Sequence, residues 1–344
     1  MSAADRSVLH VLPHPGGGGD TYVEVLDEMP AYRFGRVYLA DAAKPAPGRI
    51  ASGIGAALRR TWSHDLLHVH GEVAGGLFLP LLAARPSVVT LHGLHLARRL
   101  DGAAGRAAAL NLRAVLRAAD RTICVSRAEH DALAAIAGSA AARAVVVHNG
   151  AEAPEPMPDA ARDELRRELG VTGAEPVAIW VGSLDERRDP VAAVHAANAA
   201  CVRLLVVGDG SLRSQVEEAA GPLVQLLGHR RDVSRLLHAA DFYVLVSRRE
   251  GFAFGLLEAL AHGLPAVVTD LPENVEAIGD AGIAVPWGDA EGLADALRRL
   301  ASDSETRAVL GRTARTRILE SFSRTKMVER TRAVYEDVLR PPPP

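Results

Sequence analysis

Several residue types are scarce in this chain, and each scarcity narrows what the protein can be. Lysine is nearly absent. Of the 39 basic residues, two are lysines, Lys44 and Lys326, and the others are arginines. With abundant alanine, this bias is typical of high-GC coding. The formal net charge is −3 over 344 residues. A general nucleic-acid binder is usually strongly basic, so no nucleic-acid partner is expected.

Cysteines and long apolar runs are also few. Cys124 and Cys201 lie in or beside apparent strands of different halves, so we expect two reduced core residues in a cytoplasmic protein. The apolar run 75–84 is much shorter than the roughly 20 residues that span a bilayer. The N-terminus shows no signal-sequence pattern. These features predict a soluble chain.

The sequence does contain a regular alternation of short apolar strands and longer helical patterns. This order predicts an α/β protein with doubly wound parallel sheets. The length and the 48% hydrophobic content suit two domains with separate cores. The proline-rich segment 153–158 interrupts the pattern and marks the boundary.

Near the N-terminus, a glycine loop precedes a helix expected from about Thr21, and such a loop lets backbone approach a ligand.

The stretch 244–265, VLVSRREGFAFGLLEALAHGLP, is the strongest candidate for a binding site. Glu250 follows a buried strand, at the edge where open α/β sheets bind ligands. The amides near Phe254 and Gly255 open a helix and suit phosphate groups. Glu258 lies eight residues after Glu250, so two acids flank the phosphate position and could hold sugar hydroxyls. Spacing alone fits a nucleotide-sugar site and a pair of solvated acids equally well.

This stretch resembles the E-x7-E motif of glycosyltransferase family 4, retaining enzymes with the GT-B fold. The runs ICVSRAEHDAL and VVHNGAE resemble further signatures of that family. The resemblance implies two Rossmann-like domains facing across a cleft. Residues 1–152 would form an acceptor-binding domain, with a C-terminal helix near 325–340 packing back on it. Residues 159–322 would bind the nucleotide sugar.

The resemblance also implies roles for single residues. Glu250 would contact the donor sugar and Glu258 the ribose. Arg188 stands where the family has a lysine and would be a cation for the diphosphate, since arginine replaces lysine almost throughout this chain. His92 would reach the sugar from the N-terminal domain. Further donor-binding positions implied by the resemblance are Gly18, Gly19, Ser183, Gly208, Arg230, Gly251, Phe254 and Gly255.

One departure from the family concerns the leaving-group pocket. Ser183 stands where the family has an arginine, which removes a positive charge. Either Arg187 or Arg248 supplies that charge, or catalysis is weaker, or the donor differs. For Arg230, an ordinary surface arginine is the alternative.

Two other clusters have a functional and a structural interpretation. His68 and His70 share one face of a strand, and we expect hydrogen-bonded strand-end groups there rather than a metal site. Arg106, Arg113 and Arg117 share a helix face. Such a stripe fits a solvated surface, or contact with an anionic acceptor or an acidic membrane surface.

We therefore expect a retaining glycosyltransferase that moves a sugar from a UDP- or GDP-sugar to an unknown acceptor. The family's proposed mechanism is front-face displacement, in which the departing phosphate assists the incoming hydroxyl. No cofactor or metal is expected, because no D-x-D pair lies at a strand end. The alternatives are a nucleotide-sugar epimerase or a phosphorylase on the same fold, and a non-catalytic sugar-nucleotide-binding partner protein.

Overall fold

The structure is a computed structural model that describes residues 6–40, 47–94 and 100–340, without the side chains of 47–49. The proline tail 341–344, expected to be non-helical, lies outside the described residues. Two compact units divide the chain: Met1–Asn149 with Arg324–Pro344, and Gly150–Ser323. A six-stranded parallel sheet forms the centre of each unit, so the doubly wound α/β fold is confirmed.

The first unit has the strand order β2-β1-β3-β4-β5-β6. Its strands are β1 (Arg6–Leu12), β2 (Tyr32–Tyr38), β3 (Leu66–His70), β4 (Ser87–Thr90), β5 (Arg121–Cys124) and β6 (Ala144–Val146). Its helices are α1 (Gly18–Leu26), α2 (Pro47–Thr61), α3 (Glu72–Leu77), α4 (Leu79–Ala84), α5 (Gly102–Ala118) and α6 (Arg127–Ala137), with a 3₁₀ turn over Gly138–Arg143. The chain adds β2 on one side of β1 and then β3 on the other. The carboxyl ends of β1 and β3 therefore flank a switch point, where such sheets bind ligands.

The second unit has the strand order β12-β11-β10-β7-β8-β9. Its strands are β7 (Val177–Val181), β8 (Arg203–Val207), β9 (Val224–Gly228), β10 (Phe242–Leu245), β11 (Ala266–Thr269) and β12 (Gly282–Val285). Its helices are α7 (Asp159–Glu168), α8 (Pro190–Ala200), α9 (Arg213–Ala219), α10 (Val233–Ala239), α11 (Phe254–Ala261), α12 (Pro272–Ile278), α13 (Ala290–Ser302) and α14 (Ser304–Ser321). Here the switch point lies between β7 and β10. The loops that follow these two strands are the expected ligand-binding loops.

The last helix, α15 (Arg324–Val338), packs on the first unit. Its Tyr335 is fully buried, and its hydroxyl is 2.6 Å from Nδ1 of His68. Arg121 also forms an ion pair with Asp337 at 2.5 Å. In the sequence, the whole second unit therefore lies between α15 and the sheet on which it packs.

The two cysteines differ in burial. Cys124 is fully buried in β5, and burial raises the pKa of its thiol. Cys201 is exposed, so the expectation that both are core residues is wrong. The reason is local: Cys201 ends α8 in the left-handed conformation, φ 55°, two residues before β8 begins. Within the described ranges, no helix combines the length and the apolar character of a membrane span.

Gly208 lies at the carboxyl edge of the second sheet, where the backbone of Gly182 approaches it too closely for any side chain. Gly208 follows β8 with φ 140°, and its amide donates to the carbonyl of Gly228 at 2.8 Å. A Cβ on Gly208 would lie 1.7 Å from the carbonyl oxygen of Gly182. No side chain fits there without moving the backbone that forms the edge of the site.

The variant Gly208→Ala tests this close approach of the two backbone segments. We expect it to lower Tm by roughly 5–10 °C, because the clash adds to the strain of a positive φ. Gly170→Ala is the matched control, since Gly170 has φ 71° but no atom within 4 Å of its Cβ position. It should lower Tm by roughly 2–4 °C from the strain alone. Thermal unfolding followed by circular dichroism measures both, and equal shifts would contradict the close approach.

Candidate functional site

The predicted binding stretch folds as a strand, a loop and a helix. β10 ends at Leu245, and α11 begins at Phe254. The first intrahelical hydrogen bond runs from the amide of Leu257 to the carbonyl of Ala253, at 3.2 Å. The amides of Phe254 and Gly255 precede it, so the helix offers them no carbonyl partner. An anion at this end meets donor groups and the positive end of the helix dipole.

Glu250 is buried in the loop between β10 and α11, with 4% of its side chain exposed. Its Oε1 accepts a hydrogen bond from the hydroxyl of Ser247 at 2.7 Å. Arg187 and Arg188, from the loop after β7, approach the same carboxylate at 3.2 and 3.7 Å. The two loops of the switch point are thus joined by one carboxylate and two guanidinium groups.

Arg188 has unused hydrogen-bonding capacity. Its backbone amide donates to Asp185 at 3.0 Å, which fixes where the side chain starts. A Cβ on Gly182 would lie 2.7 Å from Cδ of Arg188, so a glycine is needed beside the side chain. Nε of Arg188 is buried and has no hydrogen-bond partner among the described residues. A buried donor without a partner is costly, and an anionic ligand would satisfy it.

The structure separates the two candidates for the charge that Ser183 lacks. Ser183 is exposed, and its hydroxyl donates to Asp185 at 2.6 Å. Arg248 pairs with Asp189 at 3.2 Å and lies over the ring of Trp287, 4.7 Å from its centroid. Arg187, by contrast, lies beside Glu250, so Arg187 is the better placed replacement.

Tyr243 lies within electrostatic reach of Glu258 and of this cluster. It is fully buried in β10, and its hydroxyl donates to the carbonyl of Val181 at 3.2 Å. A Cβ on Gly255 would lie 3.0 Å from that hydroxyl, so a glycine lets α11 begin directly above it. Burial raises the pKa of Tyr243, and the charges of Arg188, Glu258 and Glu250 also act on it. Both acids therefore lie near one tyrosine.

Glu258 is the fifth residue of α11. Burial raises the pKa of its carboxyl. In the part of the chain that the structure describes, this carboxylate has no hydrogen-bond or ion-pair partner. It differs in this from Glu250 and is available to hydroxyl groups of a ligand.

Other predicted positions have different surroundings. Arg230 makes two hydrogen bonds of 2.7 Å to Asp232, from Nε and Nη2, so its guanidinium group is already engaged. Gly251 lies buried in the loop next to Glu250.

Gly18 and Gly19 lie in the first turn of α1, so the expected helix start near Thr21 is wrong by three residues. The left-handed glycines are instead Gly16 and Gly17, at 83° and 87°. The carboxylate of Asp20 accepts from the Gly16 amide and from the hydroxyl of Tyr38, which fixes this loop.

His92 follows β4 with φ 59°, a left-handed conformation that is uncommon for residues other than glycine. The next amide, of Gly93, donates to the buried carboxylate of Glu129. Glu129 also accepts from the amide of Val125 at 2.7 Å, after β5. This one carboxylate therefore fixes the loops after two neighbouring strands. Strained backbone that is held by its surroundings is typical of functional positions.

Sequence reasoning missed Ser247, Tyr243 and Glu129. Ser247 gave a weak signal by its position three residues before Glu250. Tyr243 and Glu129 show no signal in the sequence beyond that of ordinary strand and helix residues, because partners that define their roles are distant in sequence.

His10, His68 and His70 are buried together, with ligand atoms within 4.8 Å of one another. Such spacing can hold a metal ion. However, both nitrogens of His68 have partners, Tyr335 at 2.6 Å and Thr90 at 2.7 Å. Both nitrogens of His70 have histidine partners at 2.8 Å. The expected hydrogen-bonded arrangement describes His68 and His70 better than a metal centre does.

Comparisons with known proteins identify a family and a fold. The family model described as "Glycosyltransferase Family 4" matches residues 9–153, and that described as "Glycosyl transferases group 1" matches residues 175–303. N-acetyl-alpha-D-glucosaminyl L-malate synthase of Bacillus anthracis is 31% identical over 189 residues, 52% of this chain. The match spans about half of that relative's length, 49%.

A second relative is 2-deoxystreptamine N-acetyl-D-glucosaminyltransferase of Streptomyces fradiae. It is 30% identical over 279 residues, 73% of this chain and 66% of the relative. Among solved structures, Anabaena HepE in complex with UDP-glucose has a TM-score of 0.81 at 20% identity, over 96% of this chain and 99% of the other. This likeness confirms the GT-B fold.

Proposed function

The chain belongs to the group 1 glycosyltransferases of family 4, enzymes that use a nucleotide-sugar donor, and we propose that it binds a UDP- or GDP-sugar at the start of α11 and transfers the sugar with retention. The observation that carries the proposal is the pair Arg187 and Arg188, held by Glu250 at the switch point next to the open amides of α11. The acceptor is left open.

Two arginines and the start of α11 supply positive charge for the leaving group in this proposal. Arg188 donates to the diphosphate from its partly buried guanidinium group, including the Nε that has no protein partner. Arg187 supplies the charge that Ser183 lacks. The amides of Phe254 and Gly255 hold the same anion. Fixed donors of this kind stabilise charge as it develops on the leaving group.

The two acids have different tasks. Glu258, which has no partner in the described structure, accepts hydroxyl donors of the ribose. Glu250 holds both arginines in place and contacts the transferred sugar. Because Ser247 and two cations occupy its carboxylate, Glu250 is a poor nucleophile. This supports front-face displacement without a covalent sugar–enzyme intermediate. His92 is proposed to contact the transferred sugar.

No metal is needed in this scheme. Two guanidinium groups and a helix start supply the positive charge that a divalent cation supplies in other transferases. Transfer should therefore continue at full rate in EDTA.

The direct test is a thermal-shift panel with UDP, GDP, ADP and dTDP, followed by sugar donors of the preferred base. We expect one nucleoside diphosphate to raise Tm by several degrees at saturation. UDP-glucose and UDP-N-acetylglucosamine are the first donors to try, given the names of the relatives and of the HepE complex. Binding of a donor without release of nucleoside diphosphate in any acceptor mixture would instead favour a non-catalytic binding protein.

A further inference from the structure

Three imidazoles form a hydrogen-bonded series in the first unit. Nδ1 of His10 is 2.8 Å from Nε2 of His70, and Nδ1 of His70 is 2.8 Å from Nε2 of His92. The rings are stacked, with centroids 5.1 Å apart at each step. The series runs from the fully buried His10 to His92, which is partly exposed at the loop after β4.

The register of the sheet sets this series. His10 of β1 lies opposite His68 of β3, so the two side chains share a face. His70, two residues further, shares that face and lies opposite Thr90 of β4. His92, two residues beyond Thr90, continues the row. The pairing of β1 with β3 therefore fixes the spacing of His10 and His70, and the loop held by Glu129 places His92 next to His70.

The buried rings are neutral. Burial, and after it the charges of neighbouring histidines, holds the pKa of His10 and His70 well below the usual 6.5. A neutral imidazole has one N–H donor and one acceptor nitrogen. With a histidine at each nitrogen, His70 must donate to one and accept from the other. The tautomer of His70 is thereby linked to which nitrogen of His92 carries a proton.

We propose that His70, supported by His10, is a positioning residue that fixes the ring orientation and the tautomer of His92. Glu129 holds the backbone beside His92, and His70 holds its ring. The inference rests on the proposed function in one respect, namely that His92 takes part in sugar transfer. His68 lies on the same face, but its ring nitrogens bind Tyr335 and Thr90, so it stands outside the series.

Two conservative variants separate the contacts of His70. The amide of asparagine occupies the position of Nδ1, so His70→Asn keeps a group facing His92 and loses the one facing His10. The amide of glutamine occupies the position of Nε2, so His70→Gln does the reverse. We expect His70→Gln to lower kcat by roughly tenfold or more, with KM for the donor near that of the parent, and His70→Asn to retain more activity.

A spectroscopic readout tests the inference independently of turnover. In protein labelled with ¹⁵N-histidine, the ring signals of His92 are identified by their loss in His92→Asn. We expect one tautomer of His92 in the parent and a mixture in His70→Gln. In His70→Asn an amide still faces His92, so its departure from the parent should be smaller than that of His70→Gln. An unchanged single tautomer in His70→Gln would overturn the inference.

His68→Gln is the matched control, because it alters a buried histidine of the same strand and face. It should lower Tm as His70→Gln does but leave the tautomer of His92 and kcat near the parent's. A change of tautomer in His68→Gln equal to that in His70→Gln would mean general loosening of the face and would overturn the inference. If His92→Asn retains the parent's kcat, the proposed role of His92 in transfer fails, whereas the ring signals still decide whether His70 positions it.

Discussion

Arg188→Met is expected to lower kcat by about 10²–10³-fold, the usual effect of removing one fixed donor from a developing negative charge. The variant keeps the volume of the side chain and loses its charge. It also removes the partly buried guanidinium group whose Nε has no protein partner. The effect should fall on kcat more than on KM for the donor, because charge on the leaving group grows during the reaction. Steady-state release of nucleoside diphosphate measures both constants.

Arg248→Met is the control for Arg188→Met. Arg248 comes from the neighbouring loop, but it is exposed and tied to Asp189 and Trp287. Its loss should leave kcat close to that of the parent. Arg187→Met should lie between the two, because Arg187 contacts Glu250 with a more exposed side chain than that of Arg188. A larger loss for Arg248→Met than for Arg187→Met would mean that the replacement for the family's arginine has been assigned to the wrong residue.

Glu258→Ala is expected to weaken binding of the preferred nucleoside diphosphate by roughly 100-fold. Two hydroxyl donors to an ionised carboxylate contribute about 3 kcal/mol together, and each 1.4 kcal/mol is a factor of ten. Isothermal titration calorimetry gives the Kd directly. Glu258→Gln keeps the shape and one acceptor oxygen, so its loss should be smaller. An unchanged Kd in Glu258→Ala would remove Glu258 from the site.

The pH dependence of binding follows from the same carboxylate. Glu258 binds two hydroxyl donors most strongly when it is ionised, because protonation turns one carboxylate oxygen into a donor and removes the charge. Because burial raises the pKa of its carboxyl, protonation begins at a higher pH than for an ordinary glutamate. Affinity for the nucleotide should therefore fall on acidification, starting at that higher pH. Glu258→Gln should lack this part of the pH dependence.

Local pattern predicted the elements of the site but not their contacts. The change from β-branched residues to helical spacing between Val244 and Leu260 identified β10 and α11, because the apolar period reports the buried face. The join between Glu250 and the loop after β7 depends on β10 pairing with β7, and those loops are about 60 residues apart in sequence. No local pattern reports such a pairing.

The ends of helices were also not predicted correctly. The sequence placed the start of α1 near Thr21, whereas Gly17 turns the chain and the helix begins at Gly18. Cys201 was expected in the core because a strand follows it closely, yet one left-handed residue moves it to the surface. In both places a single backbone conformation decides the outcome, and composition does not fix it.

The sequence could not predict that His10, His70 and His92 lie side by side, because this depends on the register of β1, β3 and β4. HDLLHVH showed that His68 and His70 share a face, because strand side chains alternate. It could not show that His70 lies opposite Thr90 or that His10 lies opposite His68.

A crystal structure of the protein with the preferred nucleoside diphosphate is the most direct test of the account. We expect the β-phosphate within about 3 Å of the amides of Phe254 and Gly255 and of a guanidinium nitrogen of Arg188, with the ribose hydroxyls on Glu258. A nucleotide bound at another edge of the sheet, or a diphosphate that leaves Arg188 and those amides without contact, would contradict it.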